Sequence, residues 1–448
     1  MNRSFSFTWL FVLLLIGTSF SCASSLHLEP LYRSYRQNDY EGAYQQVVAK
    51  KQEYAETDGP LIWSLDAGIL AHWARNYSQS NLHLEAAENL ITQLYTQSIS
   101  ANVASFLVND NTKAYRGEDY EDLYASVFKA LNYINLQQGE EALVELRRFQ
   151  EKQQFLQHKY DRLMDEVQKA GKQASAHNLT KEVSLQFSSS ALGNYLALVV
   201  AREMGETNQA EFSFNQVQNA FAKQKDLYPF VLPATLTDDV YQPKDGKKRV
   251  NFLAFSGLSP IKQEVVERFW IAQNTYVKIA LPQLVSRPTT VGSIDVRLSD
   301  GSFVALQPLE RIGAIALKTF ELNRSYIEAK TLLRAFAKAT GTVLIDSATA
   351  VASDTNDSSD TATAIEIVGS FLSFFSRIYN ELSERADVRI SHFFPDQGWV
   401  GGINLPVGTY DATVIYRDRG GRIIHTDELK QISVDESTIQ LWESVCPK

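Results

Sequence analysis

Cysteine is almost missing from this chain of 448 residues, which has two, Cys22 and Cys446. That excludes a disulfide scaffold and a cysteine-based zinc site, because both need several ligands at close spacing. Histidine is scarce as well, and no two of the seven stand four apart as a helical metal pair requires. No metal and no cofactor is therefore expected. Positive charge is in deficit: 43 Lys and Arg face 52 Asp and Glu, a formal balance of −9. A mildly acidic chain is not built to neutralise a phosphate backbone, so nucleic acid is not an expected partner. GxSxG, HExxH, a Walker loop and a helix-opening GxGxxG are all lacking, and Gly246-Lys247 has neither the upstream glycine nor the following Ser/Thr of a phosphate loop. With 44% hydrophobic and 21% charged residues, the composition excludes a mostly disordered chain and a polytopic membrane protein.

What is present begins at the N-terminus. Arg3 precedes an apolar run from Phe5 to Gly17, and small residues lead on to Cys22. That run falls short of the roughly 20 residues a spanning helix needs. Residues 1–21 fit an export signal, and Cys22 stands where a bacterial lipoprotein signal places its acylated cysteine. Lipidation would supply several acyl chains, each worth ~0.8 kcal/mol per buried CH₂. Ala23 after the cysteine is compatible with an outer-membrane lipoprotein facing the periplasm. Ser19 occupies the position usually held by Leu, and ordinary cleavage after Ser21 or Ala23 would leave a soluble periplasmic or secreted protein. In the lipidated form Cys446 has no partner; in the other, a Cys22–Cys446 bridge becomes available.

Residues 22–228 read as helical. Leu61, Leu65, Ile69 and Trp73 recur four apart, as do Leu123, Val127 and Leu131, and Leu143 to Val167 suggests one long helix. Proline is absent between Pro60 and Pro229, so nothing in that span forbids long helices. A short motif recurs at Asn38–Ala43, Asn81–Ala86, Gln137–Ala142 and Gly205–Ala210. It is similar to the Gly-x-Tyr-x-x-Ala junction of tetratricopeptide repeats, where small residues let paired helices approach. The spacing between copies is irregular, so the expectation is a degenerate array, with a plain helical bundle as the alternative.

Asn109, Asp110, Tyr115, Arg116, Gly117, Glu118 and Glu121 are followed by Ala130-Leu131-Asn132-Tyr133, Gly139, Ala142, Glu145, Arg147 and Arg148. Further on stand Gly257-Leu258, Pro260, Lys262, then Ala386-Asp387 with Arg389, then Leu405-Pro406, Gly408 and Tyr410. In this order the motifs resemble those of a widespread family of bacterial tetratricopeptide-type envelope lipoproteins, over most of the mature chain. The chain departs from that pattern after Arg389, where Ile390 to Pro395 replaces a Trp followed by Leu-Pro. The resemblance implies an envelope lipoprotein and implies no particular activity.

After Pro229 the pattern changes. Residues 229–249 are expected to form a linker, with Lys244 to Arg249 exposed, and 250–448 a β-rich domain. Strands are expected at Val250–Phe255, Tyr276–Leu281, Ile294–Leu298, Val304–Leu309, Thr409–Tyr416 and Thr438–Trp442, with a hairpin at Gly420-Gly421. Helices are expected near 317–340 and 364–384, the second Phe-rich, around a disordered loop at 346–363 that has no Lys or Arg. The fold class predicted is α+β: a tetratricopeptide-like array of helix pairs, then an antiparallel, sandwich-like domain with inserted helices.

Chemistry is sparse. His392 lies near Asp387, which could orient it as a general base, but no nucleophile accompanies it. His72 beside Trp73 reads as a core residue. Glu145, Arg147 and Arg148 could line a groove that recognises carboxylates, or form ion pairs between helices, for instance Arg147 with Glu121 or Asp110. Asp387 and Arg389 fit a cap or an interdomain ion pair as well as a ligand site. The function expected is a non-enzymatic scaffold or adaptor of the cell envelope, lipid-anchored, with a protein or peptide partner. The alternatives are an envelope hydrolase acting on peptidoglycan or polysaccharide through carboxylates not paired by the sequence, and a regulator of a wall synthase or export machine.

Overall fold

The computed structural model describes residues 28–100, 114–173, 189–272, 275–287, 289–323, 386–436 and 438–448. Helices come first: α1 Glu29–Arg36, α2 Tyr40–Ala49, α3 Lys51–Thr57, α4 Pro60–Trp73, α5 Tyr77–Ser100, α6 Asp119–Asn135, α7 Gly139–Gln173, α8 Ala191–Glu203 and α9 Thr207–Lys223. Four pairs, α1/α2, α4/α5, α6/α7 and α8/α9, are hairpins closed by one and the same turn. A left-handed residue ends the first helix of each: Asn38 (φ 64), Arg75 (φ 60), Gln137 (φ 59) and Gly205 (φ 73). The next amide reaches back five residues, from Asp39 to Ser34, Asn76 to Ala71, Gln138 to Tyr133 and Glu206 to Ala201, at 2.8–3.0 Å. These bonds satisfy carbonyls that the helix end leaves orphaned.

Five residues after each left-handed position stands a small, fully buried side chain: Ala43, Ser80, Ala142 and Ala210. Three of these are the junctions expected from the sequence. The fourth was expected at Asn81–Ala86, but Ala86 is exposed and the junction is Arg75 to Ser80. Ser80 fills its place by donating to the Gly68 carbonyl at 2.7 Å.

Each hairpin packs on the next through contacts of α2 with α4, α5 with α6, and α7 with α8. The first helices α4, α6 and α8 form an inner row, buried along nearly their whole length. What covers them is the sheet. Among the described residues nine strands follow: β1 Lys248–Ser256, β2 Ile261–Ala272, β3 Thr275–Val285, β4 Val291–Leu298, β5 Phe303–Arg311, β6 Gln397–Leu405, β7 Gly408–Asp418, β8 Ile423–Val434 and β9 Leu441–Cys446. Seven of them make one sheet in the order β8-β7-β4-β5-β6-β1-β9, and β2-β3 is a separate hairpin. Every neighbouring pair is antiparallel except β1 and β9. The fold is therefore α+β with a large, mostly antiparallel sheet.

The sandwich expected from the sequence is one continuous sheet. β5 serves both halves: Phe303–Leu306 pair with β4, and Gln307–Arg311 pair with β6, with a register shift after Pro308. The two halves enclose a core of Val250, Phe252, Val296, Leu306, Val414 and Ile432. Tyr416 and Asp427 both bond Ser444, at 2.9 and 2.8 Å, linking β7 and β8 to the far edge strand β9. The other face of the sheet shares a second, larger core with the helices. Leu253 and Phe255 of β1 point there, and Phe255 packs against Trp73 and Phe128 with ring centroids 5.5 and 5.7 Å apart. From Val250 to Phe255 β1 is thus apolar on both faces except at Asn251, whose buried amide donates to Tyr195 and Asp239.

Residues 229–249, expected as a linker, carry a 3₁₀ helix at Ala234–Val240. Its buried Asp239 accepts from Arg249 Nε at 2.7 Å and Asn251 Nδ2 at 2.8 Å. Of the part expected to be exposed, 244–247 is so, whereas Arg249 is buried; Val231 and Tyr241 are exposed too. The helix expected at 317–340 begins at 312, directly after β5, and is described to 323; it is α10 below. The remainder of that prediction, the loop 346–363 and the helix 364–384 lie outside the described residues.

Candidate functional site

Residues 386–396 form a strap without regular structure that enters β6 and lies in the seam between helices and sheet. Its backbone is held by three carboxylates from three elements. Ala386 N–H donates to Glu264 of β2 at 2.6 Å, Ser391 N–H to Glu121 of α6 at 2.7 Å, and His392 N–H to Asp66 of α4 at 2.8 Å. Arg287 ties the strap to the segment before β2, donating to the His392 carbonyl at 2.9 Å and to the Ser259 carbonyl at 2.6 Å.

Four residues singled out from the sequence meet here: Tyr115, Glu121, Asp387 and Arg389. Glu121 closes a capping box with Glu118 at the start of α6 and also accepts from Tyr115 Oη at 2.7 Å. Burial, and then the neighbouring Glu118, raise its pKa. Arg389 holds both oxygens of Asp387 at 2.8 Å and lies over the Tyr115 ring, which Lys262 approaches at 5.1 Å. Arg389 and Asp387 are thus a local fork within the strap.

His392 is oriented as a general base would be, but by a different carboxylate from the one expected. Asp66, fully buried, lies 2.7 Å from His392 Nδ1 and accepts from Tyr54 Oη at 2.9 Å; Asp387 is engaged by Arg389 instead. Asp58 faces the same imidazole, and burial raises its pKa against the opposing pull of His392. At the strap's end, burial pushes the Asp396 carboxyl up to about 6 despite Arg311 and Arg287. Its carboxylate lies over the first turn of α10, where a Cβ on Gly313 would come within 2.0 Å of it. Glycine is needed there for that close approach.

Glu145 and Arg148 belong to a different cluster. Glu145 pairs with Lys129 at 3.2 Å and with Arg148 at 2.9 Å. Lys129 also holds Glu85 and Glu88, and Lys152 bridges Glu88 and Asp122. Burial alone would raise Glu88, but the two ammonium groups overcome it and hold the carboxyl down at about 2. The expected pairing of Arg147 with Glu121 does not form, since Glu121 is enclosed by Tyr115, Glu118 and Ser391; Arg147 and Arg116 are exposed. His72 is a core residue, with Nδ1 2.7 Å from Asn132 Oδ1 and Nε2 3.3 Å from Glu443. Cys22, Asn109 and Asp110 lie outside the described residues. Among the described residues no group of His, Cys, Asp and Glu is arranged to hold a metal.

The sequence reading missed Asp66, Lys129 and Glu310. Glu310, on β5, is fully buried and accepts from Tyr124, Tyr228, Ser190 and the Leu192 amide, at 2.5–3.2 Å. It ties the sheet to α6 and α8. The available signal was a lone charge in an apolar segment, as in Leu65-Asp66-Ala67 and Phe128-Lys129-Ala130, since such a charge stays buried only when partnered.

No protein-family model, curated protein or solved structure matches this chain.

Proposed function

We propose that the chain is a lipid-anchored scaffold or adaptor of the bacterial cell envelope, held to the outer membrane through Cys22 and facing the periplasm. It binds a protein or peptide partner without turning it over. The observation that supports this reading best is the repetition of four helical hairpins, each closed by the same turn and stacked on the next. We read them as a degenerate tetratricopeptide-like array. Arrays of this kind bind partners on an extended concave surface. Here the inner helices α4, α6 and α8 are covered by the chain's own sheet. The binding surface therefore passes to the second helices of the hairpins, where Leu82, Val144 and Phe212 are 63%, 43% and 49% exposed. Among the described residues no helix is long and apolar enough to cross a membrane.

The second reading is an envelope hydrolase, favoured by one observation: His392 is held by buried Asp66, with Asp58 beside the ring. An oriented imidazole is half of an acid–base machine. The soluble protein from Ala23 onward separates the two. The scaffold reading expects intact peptidoglycan, glycosides and esters after incubation. Turnover that disappears in His392→Gln would overturn it.

A further inference from the structure

The strap gathers titratable and charged groups from the elements packed against it. From α4 and the turn before it come Asp66 and Asp58, with Tyr54 of α3 bonded to Asp66. Glu118 and Glu121 stand at the start of α6, with Tyr115 before them. β2 contributes Glu264 and Lys262, the latter paired with Glu118 at 2.5 Å. The strap itself adds Asp387, Arg389, His392 and Asp396. Arg287 follows β3 and contacts Tyr32 of α1, and Arg311 ends β5 near Asp396. Seven carboxylates thus face four Lys or Arg side chains and one imidazole. Asp387 and Glu118 are paired at close range, but Asp396 is buried over the start of α10, where its backbone amide and carbonyl are tied to Ser256 and Gly313.

We propose that the 386–396 strap is a proton-operated clasp, drawn tighter onto the helix–sheet seam when Asp396 takes up a proton. The strap joins inner helices to strand β6, so the clasp sets how firmly the two layers are held. The direction follows from linkage. A carboxyl whose pKa is higher in the closed form than in the open form favours the closed form below the closed-form value, and that advantage is lost as pH rises through it. With Asp396 pushed up to about 6 by burial, the change falls between about pH 7 and pH 4. Glu121 and Asp58, raised by the same cause, act in the same direction.

Hydrogen exchange followed by mass spectrometry on the full mature chain tests this, with rates corrected for intrinsic chemistry. Peptides spanning 386–396 should be about ten-fold more protected at about pH 5 than at about pH 8, while peptides from α8 change little. In Asp396→Asn, which is neutral at both values, most of that dependence should vanish. Asp58→Asn leaves the Asp396 carboxyl in place and should retain the larger part. Equal corrected protection of the strap at both pH values in the parent chain would overturn the proposal, and so would an undiminished dependence in a folded Asp396→Asn.

Discussion

Half-buried Glu88 and buried Asp396 have pKa values shifted in opposite directions, and the difference lies in their partners. Glu88 sits between Lys129 and Lys152, so its ionised form is favoured; Asp396 has arginines only at a distance, so burial prevails. A lowered pKa contributes stability above the unfolded value, and this is lost as pH falls toward the folded value. For Glu88 that window runs from about 4.5 down to about 2. Glu88→Gln should therefore cost about 2–3 kcal/mol at neutral pH, and nearly nothing at about pH 2. Chemical denaturation of parent and variant across that range checks it, and a cost independent of pH would mean that Glu88 matters for packing rather than charge. Lone charges such as Asp66 and Lys129 were visible in the sequence, but not their partners, which come from 326 residues away for Asp66–His392 and 41 for Lys129–Glu88. Tyr115, Glu121, Asp387 and Arg389 were each singled out in the sequence, but their meeting at the strap was not, since it joins segments more than 250 residues apart. The pairing expected of His392 with nearby Asp387 failed because Arg389, two residues on, takes that carboxylate first.

At the scale of elements, helices were easier to read than strands. Periodic apolar positions and the absence of proline marked α4, α6 and α7, and the hairpin junctions followed from small residues. The misplaced copy at Asn81–Ala86 shows what that motif lacks: the left-handed residue decides the turn, and an arginine can fill it as glycine does. Strand β6 went unread because Gln397–Leu405 holds three glycines, which weaken any strand signal. β9 was placed early because its first residues are set by pairing with β1, a long-range event. The junction itself is testable. Ala142 is fully buried at the α6/α7 crossing, so Ala142→Leu should destabilise the protein by ~1–3 kcal/mol. Exposed Ala86→Leu should change it by less than about 0.5 kcal/mol. Denaturant midpoints, with unchanged slopes, measure both. Equal midpoints for the Ala142 variant and the parent would place that residue outside a packed contact.

For the whole molecule, the α+β class was legible from the change of pattern after Pro229. The union of the two halves was not. Composition suggests a helical domain, a linker and a β domain, whereas Trp73, Phe128 and Phe255 meet in one core and Glu310 crosses the boundary. Such contacts join residues far apart in the chain and leave no local signature. In this union the inner row of helices is taken up by the sheet, which leaves the outer row for the partner proposed above. Site-specific photo-crosslinking in intact cells tests that claim most directly. A crosslinker at Leu82, Val144 or Phe212 should yield one discrete adduct with another protein, whereas one at Phe255, enclosed in the shared core, should yield none. No adduct from any of the three outer positions, together with an intermolecular adduct from Phe255, would contradict the account.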